Sequence, residues 1–219
     1  MTTVVCVQVA SLAPRRSRFC SGVLYFPERP PAIAPFFDFR GGKTGEIKPR
    51  ALVHRDGDLH GASHVFLARL RGGRAELLLQ KRSAQKDSFP GLYDISAAGH
   101  LDPGEDFAAA ARRELAEELG VTGEEPEFLF AQRNEYHGAF HGKPFHDNEI
   151  AWVYLLVLDR PEEAFTPEAC EVESVHWFSV REILRAMREN DPRFCLREAE
   201  FCRLLPYLAQ KFGIPVDKL

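Results

Sequence analysis

The strongest constraint in this chain is a helix-forming segment that carries three glutamates where a helix would set them side by side. Residues 105–119 are rich in Ala, Leu, Glu and Arg, which cost little in a helix. The turn signal Asp102-Pro103-Gly104 precedes them, and Gly120 follows in the place of a helix-ending glycine. With about 100° between successive residues, Glu114, Glu117 and Glu118 fall within one sector of roughly 100°. Ala108, Ala111, Leu115 and Leu119 form an adjacent apolar stripe able to pack on a sheet. Carboxylates so crowded either stay solvated, with Arg113 paired to Glu117 one turn on, or are drawn together by cations. Oxygen-only donors select hard ions, Mg²⁺ first and Mn²⁺ as the alternative. Such ions bridge phosphate oxygens and activate water.

The flanking sequence supplies a sheet for that stripe. Residues 63–70 and 76–80 are apolar runs around Arg71-Gly72-Gly73-Arg74, the pattern of a β-hairpin. A polar loop over 81–90 and a strand over 92–98 follow, and 128–133, 150–158 and 175–178 read as further strands. Ser179 and Glu182 make a capping box for a helix through Glu189. A last helix over 196–212 contains Pro206, which should kink or divide it. This order predicts an α/β domain, a mixed sheet flanked by helices.

Bulk properties narrow the function. A net charge of -4 argues against a general nucleic-acid binder while allowing a small anionic substrate held by a local basic patch. No apolar run reaches the length of a membrane helix. Cys6, Cys20, Cys170, Cys195 and Cys202 form no CxxC pair, so reduced thiols and a cytoplasmic setting are expected. Residues 1–35 lack acids before Glu28 and carry Arg15, Arg16 and Arg18. They read as a disordered extension or a start assigned too far upstream, with a transit peptide as the other reading. The domain is expected over 36–219, C-terminal helices included, and a homodimer is compatible with it.

The segment Gly99, five residues, Glu105, seven residues, then Arg113-Glu114-Leu115-Ala116-Glu117-Glu118-Leu119-Gly120-Val121 resembles the Nudix box at every defined position. The resemblance implies a Nudix fold, an α/β/α sandwich around a mixed sheet, and Mg²⁺-dependent hydrolysis of a nucleoside diphosphate linked to another moiety. It implies Glu114, Glu117 and Glu118 as metal ligands with the Gly99 carbonyl, and Glu105 and Arg113 as supporting residues.

Further residues are similar to the isopentenyl-diphosphate isomerase-like branch: Leu77 to Arg82, Lys86, Phe89-Pro90-Gly91, Asp94-Ile95-Ser96, Gly99-His100, His54-Arg55-Asp56-Gly57 and His60. Isomerases of that branch carry a catalytic cysteine where Ala98 stands and usually lack the full set of helix carboxylates. Both departures favour hydrolysis. The isomerase and a non-catalytic nucleotide-sensing module are the alternatives. Asp147 and Glu149 match the isomerases' acidic pair, and Glu149 is a candidate general base or further ligand. His54, His60 and His64 stand near the isomerase metal-ligand positions. Lys81, Arg82 and Lys86 are the candidate phosphate binders, and His100 a candidate substrate contact. His137, His141 and His146 are expected in a mobile polar loop, and Tyr136, Phe140 and Phe145 are candidates for stacking on the substrate.

Overall fold

Apolar residues alternate along the central strands, and the alternation decides which helix covers which face. The computed structural model describes residues 33–37 and 43–219; the expected extension over 1–35 lies almost wholly outside the described residues. The strands are β1 (Ile33–Phe37), β2 (Lys43–Pro49), β3 (His60–Arg71), β4 (Arg74–Arg82), β5 (Tyr93–Asp94), β6 (Ala97–His100), β7 (Glu127–Phe140), β8 (Lys143–Val157) and β9 (Val172–Ser179). The helices are α1 (Arg50–Asp56), α2 (Phe107–Leu119), α3 (Val180–Arg188) and α4 (Glu198–Phe212).

Strand β3 is the axis of the sheet. One edge takes β8 in parallel, with His60 beside Glu149, while the other takes β6 and then β4, both antiparallel. Val65, Leu67, Leu78, Tyr154 and Leu156 point to α2 and pack with Ala111, Leu115 and Leu119. Their neighbours Phe66, Ala68, Leu77, Leu79, Val153 and Leu155 point the other way, onto Ile183 of α3 and Phe201, Leu204 and Leu208 of α4. The mixed sheet therefore lies between helical layers, the expected α/β/α sandwich. Helix α2 begins at the N-cap Asp106, whose carboxylate accepts from Ala109 N at 2.8 Å, and ends at Gly120 with φ 69°. The Ser179–Glu182 capping box opens α3.

Three elements differ from expectation. The strand expected over 92–98 is two strands, because Ser96 turns the chain from β4 to β3. Its buried hydroxyl donates to Leu78 O at 2.5 Å and accepts from Leu67 N at 2.7 Å. Helix α4 runs unbroken through Pro206. The expected mobile histidine loop is instead the far end of a long hairpin in which His137 pairs with His146. Its tip, His141-Gly142, has φ 52° and 73°, the positive pair of a type I′ turn. Gly138 hides this strand from a periodicity reading. A Cβ there would lie 2.5 Å from the Tyr136 hydroxyl, so glycine lets that ring lie along the strand.

Replacing Ser96 by Ala strands a backbone donor and an acceptor in the core. Urea unfolding should show a loss of about 2–4 kcal/mol with unchanged m-value; a loss under about 0.5 kcal/mol would show that the bridge is dispensable.

Candidate functional site

Helix α2 meets the sheet at β6, and the contact is polar. Glu118, 2% exposed, accepts from Ala98 N at 3.0 Å and from Gln80 Nε2 at 2.9 Å. Gly99 faces Glu114 so closely that a Cβ would stand 1.8 Å from Glu114 Oε1. Arg113 spreads its guanidinium over the rest. It donates to His100 O at 2.9 Å, to Glu105 at 2.9 and 3.0 Å, to Glu117 at 3.2 Å, and to Glu114. Glu105 in turn accepts from Asp102 N at 2.9 Å, which ties the loop before α2 to the helix. The residues of the box are thus brought together as the resemblance implied.

The electrostatics of this face call for a cation. Burial, then the proximity of Glu114, pushes Glu118 up to about 8. Burial also raises Glu114, with Glu117 adding to it, against the pull of Arg113. Lys86 Nζ, 3.9 Å from Glu118 Oε1, offsets only part of this charge and is paired with Glu171 as well. Buried oxygen donors under mutual repulsion fit a hard divalent ion.

On the same strand, His100 belongs to a second group. The ligand atoms of His54, His60, His100 and Asp147 all lie within 4.8 Å of one another. His60 Nδ1 is 2.9 Å from Asp58 O and His60 Nε2 is 3.0 Å from His100 Nε2. His54 Nε2 and His100 Nδ1 are buried with no hydrogen-bond partner among the described residues, and Asp147 Oδ1 is 3.4 Å from His60 Nε2. Burial, then the charge of Arg50, pushes His54 down to about 4 and His100 well below the ordinary histidine value. Neutral imidazoles with orphaned nitrogens are fit for metal ligation.

Asp147 and Glu149 are held from α4. Arg197, just before the helix, donates to Asp147 Oδ2 at 2.5 Å and to Glu149 Oε1 at 2.8 Å. Burial opposes ionisation of Glu149, yet the charges of His64 and Arg197 hold it well below the usual carboxylate range.

A cavity of about 340 Å³ opens beside the histidine group and reaches the box at Ala98 and Gly99, while Glu114, Glu117 and Glu118 lie off its lining. Ala98, Gly99, His100, Asp147 and Glu149 line it, with the cations Arg50, Arg82, Lys86 and Arg197 and the rings of Phe89, Tyr136 and Phe145. Phe140, not itself on the lining, packs on Phe89 at 4.8 Å between centroids. Arg82 is also a loop support, donating to Ser88 O at 3.0 Å and to Asp94 at 3.1 Å. Lys81 does not join the site. It alternates to the other side of β4 and pairs with Glu173 at 2.7 Å. His137 and His146 pair with each other at 2.8 Å on the hairpin. Sequence reasoning missed Arg50, Arg197 and Glu200. Arg50 carried a signal, standing four residues before His54 on what becomes α1; Arg197 and Glu200 carried none, since they sit in a helix read only as packing.

The raised Glu118 has a consequence for stability. Between the unfolded value near 4.5 and the folded value near 8 the folded state keeps a proton that the unfolded state releases, so stability falls as pH rises through that window. In chelator, Glu118→Gln should fall less in Tm between pH 5 and 8 than the parent, by roughly 5 °C. Identical slopes would remove Glu118 as the source.

The profile of the NUDIX domain matches residues 60–198. The chain is 42% identical over 185 residues to Nudix hydrolase 3 of Arabidopsis thaliana, a match covering 81% of this chain and 23% of that protein. It thus spans under a quarter of that relative. It is 37% identical over 143 residues to an isopentenyl-diphosphate Delta-isomerase of Halorhodospira halophila, covering 64% of this chain and 75% of the other. Its fold is similar to that of DR0079 from Deinococcus radiodurans, with TM-score 0.56 and 18% identity over 72% of this chain and 89% of that one. The match across most of the chain and the sandwich with its helix-borne carboxylates agree: this chain belongs to the Nudix family.

Proposed function

We propose that this chain is a Mg²⁺-dependent hydrolase, with Mn²⁺ as an alternative ion, that cleaves the diphosphate linkage of a nucleoside diphosphate joined to another moiety. The observation that carries this reading is the complete carboxylate face of α2, with Glu114 and Glu118 buried and Glu117 at its half-exposed edge, clamped by Arg113 and set against β6. Glu114, Glu117 and Glu118 hold the ion in this proposal, with the Gly99 carbonyl. A divalent ion there neutralises charge on the diphosphate and lowers the pKa of water. Arg50, Arg82, Lys86 and Arg197 meet the substrate's negative charge from the cavity wall. Arg113 and Glu105 keep the loop, helix and carboxylates in register. Glu118, or Glu149 from outside the helix, takes the proton of the attacking water, and Glu149 is held in place by Arg197 beside Asp147.

The group formed by His54, His60, His100 and Asp147 favours a second reading, the isomerase, since these residues include ones that resemble that branch and the chain is similar to isomerases over 64% of its length. Ala98 opposes it, for that position offers no thiol. Cys195 also lines the cavity, but its thiol donates to Tyr93 O at 3.3 Å, and burial and Asp94 push it up. It is a poor stand-in for a catalytic cysteine.

A panel of nucleoside di- and triphosphates, ADP-ribose, NADH, CoA and isopentenyl diphosphate, assayed with and without Mg²⁺, tests the proposal. At least one member should be cleaved only with the metal. Glu118→Gln and Glu117→Gln should lower kcat by roughly a hundredfold or more with the fold intact. Isomerisation of isopentenyl diphosphate without cleavage of any member would replace this reading by the second. Tight binding without turnover would make the chain a sensor.

A further inference from the structure

A buried polar network joins α4 to Glu149, and the box does not account for it. His64, 4% exposed, stands on β3 between two carboxylates. Its Nδ1 is 2.9 Å from both oxygens of Glu200, and its Nε2 is 3.2 Å from Glu149 Oε1. Glu200, 2% exposed on the first turns of α4, also accepts from Gln132 Nε2 at 2.8 Å and from Asn134 Nδ2 at 3.2 Å. Asn134 Nδ2 donates to Glu149 Oε1 at 2.9 Å, and Arg197 reaches the same atom at 2.8 Å. Three donors therefore converge on Glu149 Oε1, while Oε2 accepts from none of the described residues. Glu149 itself lines the cavity.

The chemistry gives this arrangement a direction. A carboxylate at each end requires an N–H on each ring nitrogen, so His64 serves both as an imidazolium. Asp147, Glu149 and Glu200 are met by His64 and Arg197, and His60 Nε2 stands 3.4 Å from Asp147 Oδ1. Glu200 lines the cavity beside His64 and Glu149, and its polar contacts run to His64, Gln132 and Asn134 rather than to the box. Its packing neighbours Phe201 and Leu204 belong to the core, and a core position does not ask for a carboxylate. Its burial is costly and is offset by His64, Gln132 and Asn134, which ties their geometry to its own.

We propose that Glu200, acting through His64, is a positioning residue that fixes Glu149 in one rotamer and presents its free Oε2 to a cation held by the neighbouring His54, His60, His100 and Asp147. Helix α4 is then a working part of the site, and its docking completes the ligand set. The inference rests on the divalent-metal reading given above, but its test does not need turnover.

Co²⁺ is the probe, because its visible bands shift from their all-oxygen positions when imidazole nitrogens bind it, and the box carboxylates supply only oxygen. The metal-free parent should develop these bands on titration. Glu200→Gln and His64→Gln should each weaken Co²⁺ binding by about tenfold or more, the usual cost of losing a group that orients a ligand. In a Glu149→Gln background neither substitution should cost anything further. Leu204→Val, which loosens the same helix from its apolar side, should lower Tm and leave Co²⁺ affinity unchanged. Parent-like binding by folded Glu200→Gln overturns the positioning role alone, as does an undiminished effect in the Glu149→Gln background. Should Glu200→Gln not fold, the same cycle with His64→Gln decides. A parent that takes up no Co²⁺ with nitrogen ligation removes the histidine-bound ion and the proposal with it, while Mg²⁺-dependent cleavage by the box could still stand.

Discussion

The distance between helix α2 and strand β6 governs the centre of this protein. Gly99 has no side chain, and the Glu114 carboxylate fills the space a Cβ would take. One residue back, the Ala98 amide is spent on Glu118. These contacts set the helix depth, and the depth sets everything else. Further out, the carboxylates would be solvated and of ordinary acidity; at this depth they lose water and repel, leaving an unmet demand for positive charge. Arg113 keeps the arrangement from flying apart, because a planar guanidinium reaches a carbonyl and three carboxylates at once.

The strand that receives the helix also separates two kinds of chemistry. Oxygen donors gather on α2, where Gly99 and Ala98 meet them. Nitrogen donors gather around the His100 ring, with His54 from α1 and His60 from β3. The parallel register of β3 and β8 then sets Glu149 beside His60, and the two-residue period of the strand puts Asp147 on the same side as Glu149. Lys86 is the cation common to both neighbourhoods, lining the cavity and reaching Glu118. One wall of the cavity carries cations, and the oxygen donors and the nitrogen donors stand apart on either side of β6.

How much of this was legible in the sequence depended on how far apart in the chain the partners lie. The box could be read because its contacts are local: Glu105 to Arg113 and Arg113 to Glu117 span one or two helical turns. The capping box of α3 is local for the same reason. Lys81 was misplaced because strand alternation, invisible in a polar run, sends it to Glu173 while Arg82 turns inward. The hairpin beyond Asn134 was obscured by a glycine and three histidines that break hydrophobic alternation. It forms because each strand satisfies the other's backbone and because Phe89, Tyr136, Phe140 and Phe145 pack together off its edge.

By itself the sequence determined the layers and the reactive helix, because two periods are written into it: two along the strands, and about 3.6 along the helix that bears the glutamates. It also determined that no thiol stands at Ala98, which weighs against isomerisation. The tertiary structure decided what surrounds those glutamates and what completes the site. His64 and Glu200 are 136 residues apart in the chain, yet 2.9 Å apart in space. No local pattern records such a pair; it exists because α4 packs its apolar side under the sheet, and that packing leaves one carboxylate facing one buried histidine.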